Sequence, residues 1–66
     1  MGVAKVIELL ADGDTIESAV KNGVAEARKT LRSIRGVWID GTQALLDDSG
    51  DVVAFRVNLK VTFVVE

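Results

Sequence analysis

The chain has no cysteine, no histidine, no tyrosine and no proline. Each absence closes off some chemistry. Without cysteine there is no disulfide and no thiolate metal site. Without histidine, a zinc site would have to be built from carboxylates alone, an unusual choice. Lacking all of Cys, His and Tyr, the chain cannot assemble the usual nucleophile–base pairs. Ser18, Ser33 and Ser49 stand in no supporting motif, so the residues argue against an enzyme. Charge of one sign is also missing: eight basic and ten acidic residues leave a net charge of −2, which does not favour nucleic acid as a partner. No apolar run approaches the roughly 20 residues of a membrane span. The N-terminal "MGVAKVIELL" lacks the basic flank and cleavage site of a signal peptide. Gly2 is followed by Val at position 6 rather than Ser or Thr, so the myristoylation pattern fails. The expectation is a cytoplasmic protein without a membrane contact.

What is present in quantity is apolar surface. In 66 residues, 48% are hydrophobic and the mean hydropathy is +0.30. A chain this short makes one domain, residues 1–66, and buries only about 60% of its unfolded surface. Small domains need disulfides, a metal or self-association, and the first is excluded. The surplus of apolar residues therefore points to oligomerisation.

Along the chain, "VAKVIELL" (residues 3–10) is short and rich in β-branched and aliphatic residues, as a strand requires. "ADGD" then supplies turn residues, and Asp14 and Glu17 have capping-box spacing. A helix is predicted over residues 15–33. Ile16, Ala19, Val20, Val24, Ala27, Leu31 and Ile34 recur at spacings of three and four and form one apolar stripe. Acidic residues precede it and Arg28, Lys29, Arg32 and Arg35 gather at its end, matching the helix macrodipole. Gly36 is the expected stop. Gly23, inside the stripe, implies close packing of helix on sheet. A second strand runs from Val37 to Leu46, with a bulge at Gly41, and "DDSGD" (47–51) is a turn. The last strand is the clearest: Phe55, Val57, Leu59, Val61, Phe63 and Val65 share one face, and Ala54, Arg56, Asn58, Lys60, Thr62 and Val64 the other. The order β-α-β-β places the long last strand between the other two and antiparallel to both. The helix covers the Phe55–Val65 face, and the opposite face is left open.

Three groups on this framework are candidates for binding. Trp38, the only Trp, shares the open face and needs a cover, either another subunit or a stacked ligand. Arg56, Asn58 and Lys60 make a polar ladder that suits an anionic or heteroaromatic ligand, or contacts between subunits. Asp47, Asp48 and Asp51 offer hard oxygens to Ca²⁺ or Mg²⁺, although the same residues serve a turn's own backbone.

"KVIELL" (5–10), "TIESAVKNGVAEARKTLRSIRGV" (15–37) and "FRVNLKVTFVVE" (55–66) together resemble the dodecin family over nearly the whole chain. The resemblance implies an α+β fold in which a three-stranded antiparallel sheet packs around one helix, assembled as a hollow homododecamer. It also implies a non-catalytic storage role, with flavins (riboflavin or FMN) stacked in pockets between subunits. Flavin-binding members carry a Trp soon after the helix and a Gln early in the last strand. Counted from "KTLRSIRG", the Trp position falls on Gly36; counted back from the last strand it falls on Val37. The Gln position falls on Arg56. Trp38 lies on the face of position 36 but about 6.5–7 Å further along the strand. Gly36 and Arg56 instead resemble a branch described as calcium-binding or lacking flavin. Arg, charged and donor-only, suits a phosphate or carboxylate. Candidate ligand contacts are thus Gly36, Val37, Trp38, Arg56 and Asn58. The alternative is a shell that binds an ion or anion.

Overall fold

The computed structural model describes residues 2–65. Strand β1 spans Val3–Gly13, helix α1 Ile16–Ala27, β2 Ile34–Leu46 and β3 Val52–Val65. The sheet order is β1-β3-β2, with β3 antiparallel to both neighbours, as expected from the β-α-β-β order. Val57, Leu59 and Val61 are fully buried, and Ala19 and Ala27 of α1 close over them. Gly23 is what lets the helix approach so closely. A Cβ there would stand 2.5 Å from Leu59 Cδ1 and 3.0 Å from Ala11 Cβ.

Three expectations are corrected. β1 does not end at Leu10, because Ala11, Asp12 and Gly13 continue the ladder opposite Val57, Arg56 and Phe55. The helix start is set by Thr15 and Ser18 rather than Asp14 and Glu17. The Thr15 side chain accepts from the Ser18 backbone N–H at 3.0 Å, and Ser18 Oγ accepts from the Thr15 N–H at 2.9 Å, a reciprocal cap in which Ser fills the place of the usual Glu. The helix also stops at Ala27, well short of residue 33. The chain tightens there through i→i+3 bonds from Lys29 N–H to Glu26 and Thr30 N–H to Ala27. It then turns at Ser33, the non-glycine residue with positive φ (57°). Ile34, the last residue of the apolar stripe, is already paired with Phe63, so the sheet begins where the stripe still fits a helix. Leu31 and Ile34 still reach the core, which is why the 3.6-residue periodicity ran on past the helix itself.

The expected irregularity at Gly41 is present: the ladder slips between Ile39 and Gly41, and again between Ile34 and Gly36 and between Leu45 and Leu46. These bulges decide which side chains of β2 reach the open face.

The subunit is a rod rather than a globule, with extents of 51 × 19 × 14 Å and a radius of gyration of 13.6 Å. A compact chain of this length has about 11 Å. Its accessible surface of 4827 Å² likewise exceeds the roughly 4,100 Å² of a compact monomer of its mass.

Candidate ligand-binding face

The helix covers one side of the sheet, so the register alone determines what the other side presents. On β3, Arg56, Asn58, Lys60 and Thr62 alternate with the buried Val57, Leu59 and Val61. β1 brings Asp12, Leu10, Glu8 and Val6 opposite them in turn. β2 brings Gln43, Gly41, Trp38 and Gly36. Leu10, Val6 and Trp38 are exposed at 65%, 55% and 70%, an apolar girdle around a polar centre.

The charged groups of this centre are already engaged with one another. Arg56 donates to both carboxylate oxygens of Asp12, Nε to Oδ1 at 2.7 Å and Nη2 to Oδ2 at 3.0 Å. This bidentate fork is the geometry guanidinium and carboxylate favour. The hydrogen bond from Arg56 holds the Asp12 carboxyl below its ordinary range, helped by the Arg charge and opposed by desolvation; the same bond raises Arg56 further. Lys60 lies 3.5 Å from Asp40 Oδ2 and has Glu8 opposite it in the ladder. Asp12 thus takes two of the five N–H donors of Arg56 and neutralises its charge, so a phosphate or carboxylate on this face would meet a guanidinium that is already paired. Counting Glu8, Asp12 and Asp40 against Arg56 and Lys60, the face carries one net negative charge.

Between these pairs lies a shallow depression of about 240 Å³ lined by Leu10, Gly41, Thr42, Gln43, Arg56 and Asn58. Asn58 Oδ1 is shut off from solvent and has no hydrogen-bond partner among the described residues. Such an atom costs free energy until a donor reaches it. A second depression of about 430 Å³, lined by Glu8, Leu9, Leu10 and Asn58, shares two of these residues; both lie open to solvent, so the face of one chain does not enclose a ligand as a drug-sized site does.

Of the sequence candidates, Gly36, Trp38, Arg56 and Asn58 share this face. Val37 does not: it pairs with Val61 and packs against the core. A Cβ at Gly36 would meet nothing within 4 Å, so the space beside it is open. Asp47, Asp48 and Asp51 do not converge on a metal. Asp47 Oδ1 accepts from the Ser49 and Asp51 N–H groups at 2.8 and 3.0 Å, bracing the turn, and no group of three metal-ligating side chains exists among the described residues. Sequence reasoning missed Asp12, Asp40 and Gln43. Asp12 was hidden by reading "ADGD" as a turn. Gln43 was hidden because a bulge at Gly41 reverses the alternation beyond it; carrying the bulge through would have found it.

A sequence-family model described as Dodecin matches residues 3–66. Among solved structures, a point mutant of Thermus thermophilus dodecin is 30% identical. The alignment covers 100% of this chain and 98% of that one, with a TM-score of 0.90. Dodecin from Streptomyces coelicolor is 29% identical over 98% of this chain and 93% of its own, with a TM-score of 0.91. Dodecin from Streptomyces davaonensis, 21% identical with a TM-score of 0.89, agrees in fold. A comparison with curated protein sequences found no match. With the family pattern matched over residues 3–66 and the fold shared from end to end, this chain belongs to the dodecin family.

Proposed function

We propose that the chain is the subunit of a non-catalytic homododecamer that holds a planar heteroaromatic ligand of the flavin class between copies, on the open face of the sheet. The observation that carries this reading is the pairing of Trp38, 70% exposed, with a sheet face whose depressions lie open to solvent and enclose no ligand alone. A second copy laid over the face supplies the missing wall and covers the apolar girdle of Val6, Leu10 and Trp38. An indole stacks on a flat conjugated ring, and the Asn58 amide, whose Oδ1 is buried without a partner among the described residues, gains an acceptor contact to a ring N–H when its side chain turns toward the ligand. Asn58 and Gln43 take the hydrogen-bonding part that the resemblance assigns to a Gln at position 56. Storage rather than turnover is the role the family resemblance implies, in keeping with a chain that has no Cys, His or Tyr for the usual nucleophile–base pairs.

Because Arg56 and Lys60 are ion-paired and the face is net negative, the flavin is held by its ring and not by a phosphate. Riboflavin is expected to bind at least as tightly as FMN. The alternative of an ion- or anion-binding shell has no free cation on this face and no gathered carboxylates among the described residues to support it. The test is a titration of the apo-protein with riboflavin and with FMN, following flavin fluorescence and molecular mass on the same sample. Saturable quenching in an assembly of about twelve chains is the expected result. An intact assembly that quenches neither flavin overturns the reading.

A further inference from the structure

Two features of the chain take no part in the open face, and each is incomplete alone. The first is the end of the β2–β3 hairpin. β1 stops at Gly13 opposite Phe55, whereas β2 and β3 stay paired to Leu46 and Val52. Residues 45–53 therefore project as a two-stranded ribbon beyond the helix-covered sheet. Leu46, Val52 and Val53 are exposed on it, and an isolated two-stranded ribbon is marginal in water. Its turn carries Asp47, Asp48 and Asp51, and no Lys or Arg lies between Gly36 and Phe55.

The second feature is at the other end of the rod. Val24, Leu31 and Ile34, with Ser33 and the cation Arg28, line a groove of about 340 Å³, and Arg32 follows Leu31 in the chain next to it. Residues 27–37 hold Arg28, Lys29, Arg32 and Arg35 and no acid. Lys29 pairs with Glu26, whereas Arg28, Arg32 and Arg35 have no ion-pair partner among the described residues. Apolar ribbon with acidic tip and apolar groove beside basic residues are complementary in both respects. They cannot meet within one chain: Val52 and Phe63, which mark the two ends, are eleven residues apart on β3, about 36 Å at 3.3 Å per residue.

We infer that the β2–β3 ribbon of one copy docks into the groove behind α1 of a second copy, with aliphatic side chains on the groove floor and the Asp48–Asp51 turn against Arg28 and Arg32. The contact joins different patches of the two copies, so it extends from copy to copy and closes only as a ring. It is separate from the ligand-binding face, and its test does not depend on flavin. Asp47 is left in place because it braces the turn.

The experiment measures mass against protein concentration by light scattering for four chains: the unchanged protein, Asp48→Lys with Asp51→Lys, Arg28→Glu with Arg32→Glu, and all four substitutions together. Each pair alone is expected to raise the concentration of half-dissociation about tenfold or more, through like-charge contacts, with the far-UV spectrum unchanged. The fourfold swap is expected to return it close to the original value, which a merely structural role of these residues would not do. Added salt loosens the unchanged assembly if the contact is electrostatic. Pairs with no effect, a swap that fails to recover assembly, or salt independence would each overturn the inference.

Discussion

Asp12 and Arg56 show how a single pair sets the character of the open face. The bidentate bond neutralises the one guanidinium on the face that an anionic ligand would use. It also makes a pH prediction. The Asp12 carboxyl is held below its ordinary value, so its contribution to folding is present above the unfolded pKa of about 3.9 and is lost as the pH falls through the lower folded value. Asp12→Asn should thus lower the urea midpoint at neutral pH, and the gap to the unchanged protein should narrow as the pH falls below the unfolded pKa of about 3.9. A gap that persists in acid would mean that the pair matters by shape and not by charge. The same substitution frees Arg56 and is expected to improve FMN relative to riboflavin. At Trp38, the stacking role predicts that Trp38→Ala weakens flavin binding about tenfold or more, since base–aromatic stacking is worth roughly 1–3 kcal/mol. The assembly mass should hold. Dissociation of the Trp38→Ala assembly with flavin affinity retained would instead make Trp38 an interface residue.

At the scale of elements, helix and sheet compete for the same stretch of chain, and contact between them limits what each tolerates. Gly23→Ala illustrates this. In a free helix the change stabilises by about 1 kcal/mol. Here the added methyl meets Leu59 and Ala11, and overpacking of this kind costs about 1–3 kcal/mol. The substitution should therefore lower the thermal midpoint despite its better helix propensity; a raised midpoint would show that Leu59 moves aside freely. The reciprocal cap makes a simpler prediction, that Thr15→Ala destabilises by about 1 kcal/mol in urea titration. Both elements were visible in the residues, but their ends were not. The stripe from Ile16 to Ile34 fits a helix throughout, and only the pairing of Ile34 with Phe63 stops it at Ala27. Likewise Asp12 and Gly13 suit a turn locally, and only Arg56 and Phe55 across the ladder keep them in β1.

For the whole molecule, the number that matters is the small core. Among the described residues five side chains are buried, and the rod leaves more surface exposed than a compact monomer would. Much of the folding free energy must then come from contacts between copies, which makes stability depend on concentration. Diluting the protein a hundredfold is expected to lower its thermal midpoint measurably. A midpoint independent of concentration over that range would mean that the single chain is stable alone.

What the residues determined by themselves is whatever follows from local period and composition. The fully alternating last strand, the one-sided helix, the β-α-β-β order and the surplus of apolar surface were all legible, because hydrophobic burial acts on every residue independently of its distant neighbours. The family resemblance, resting on three long segments, was legible too. What tertiary structure alone decided is what depends on register. The bulge between Ile39 and Gly41 put Gln43 rather than Thr42 on the open face. The length of β1 set Asp12 against Arg56, and the shared ladder with β3 ended the helix at Ala27. A sheet alternates with period two, so one extra residue reverses every side chain beyond it. That choice is made by pairing across the chain, where no local pattern records it.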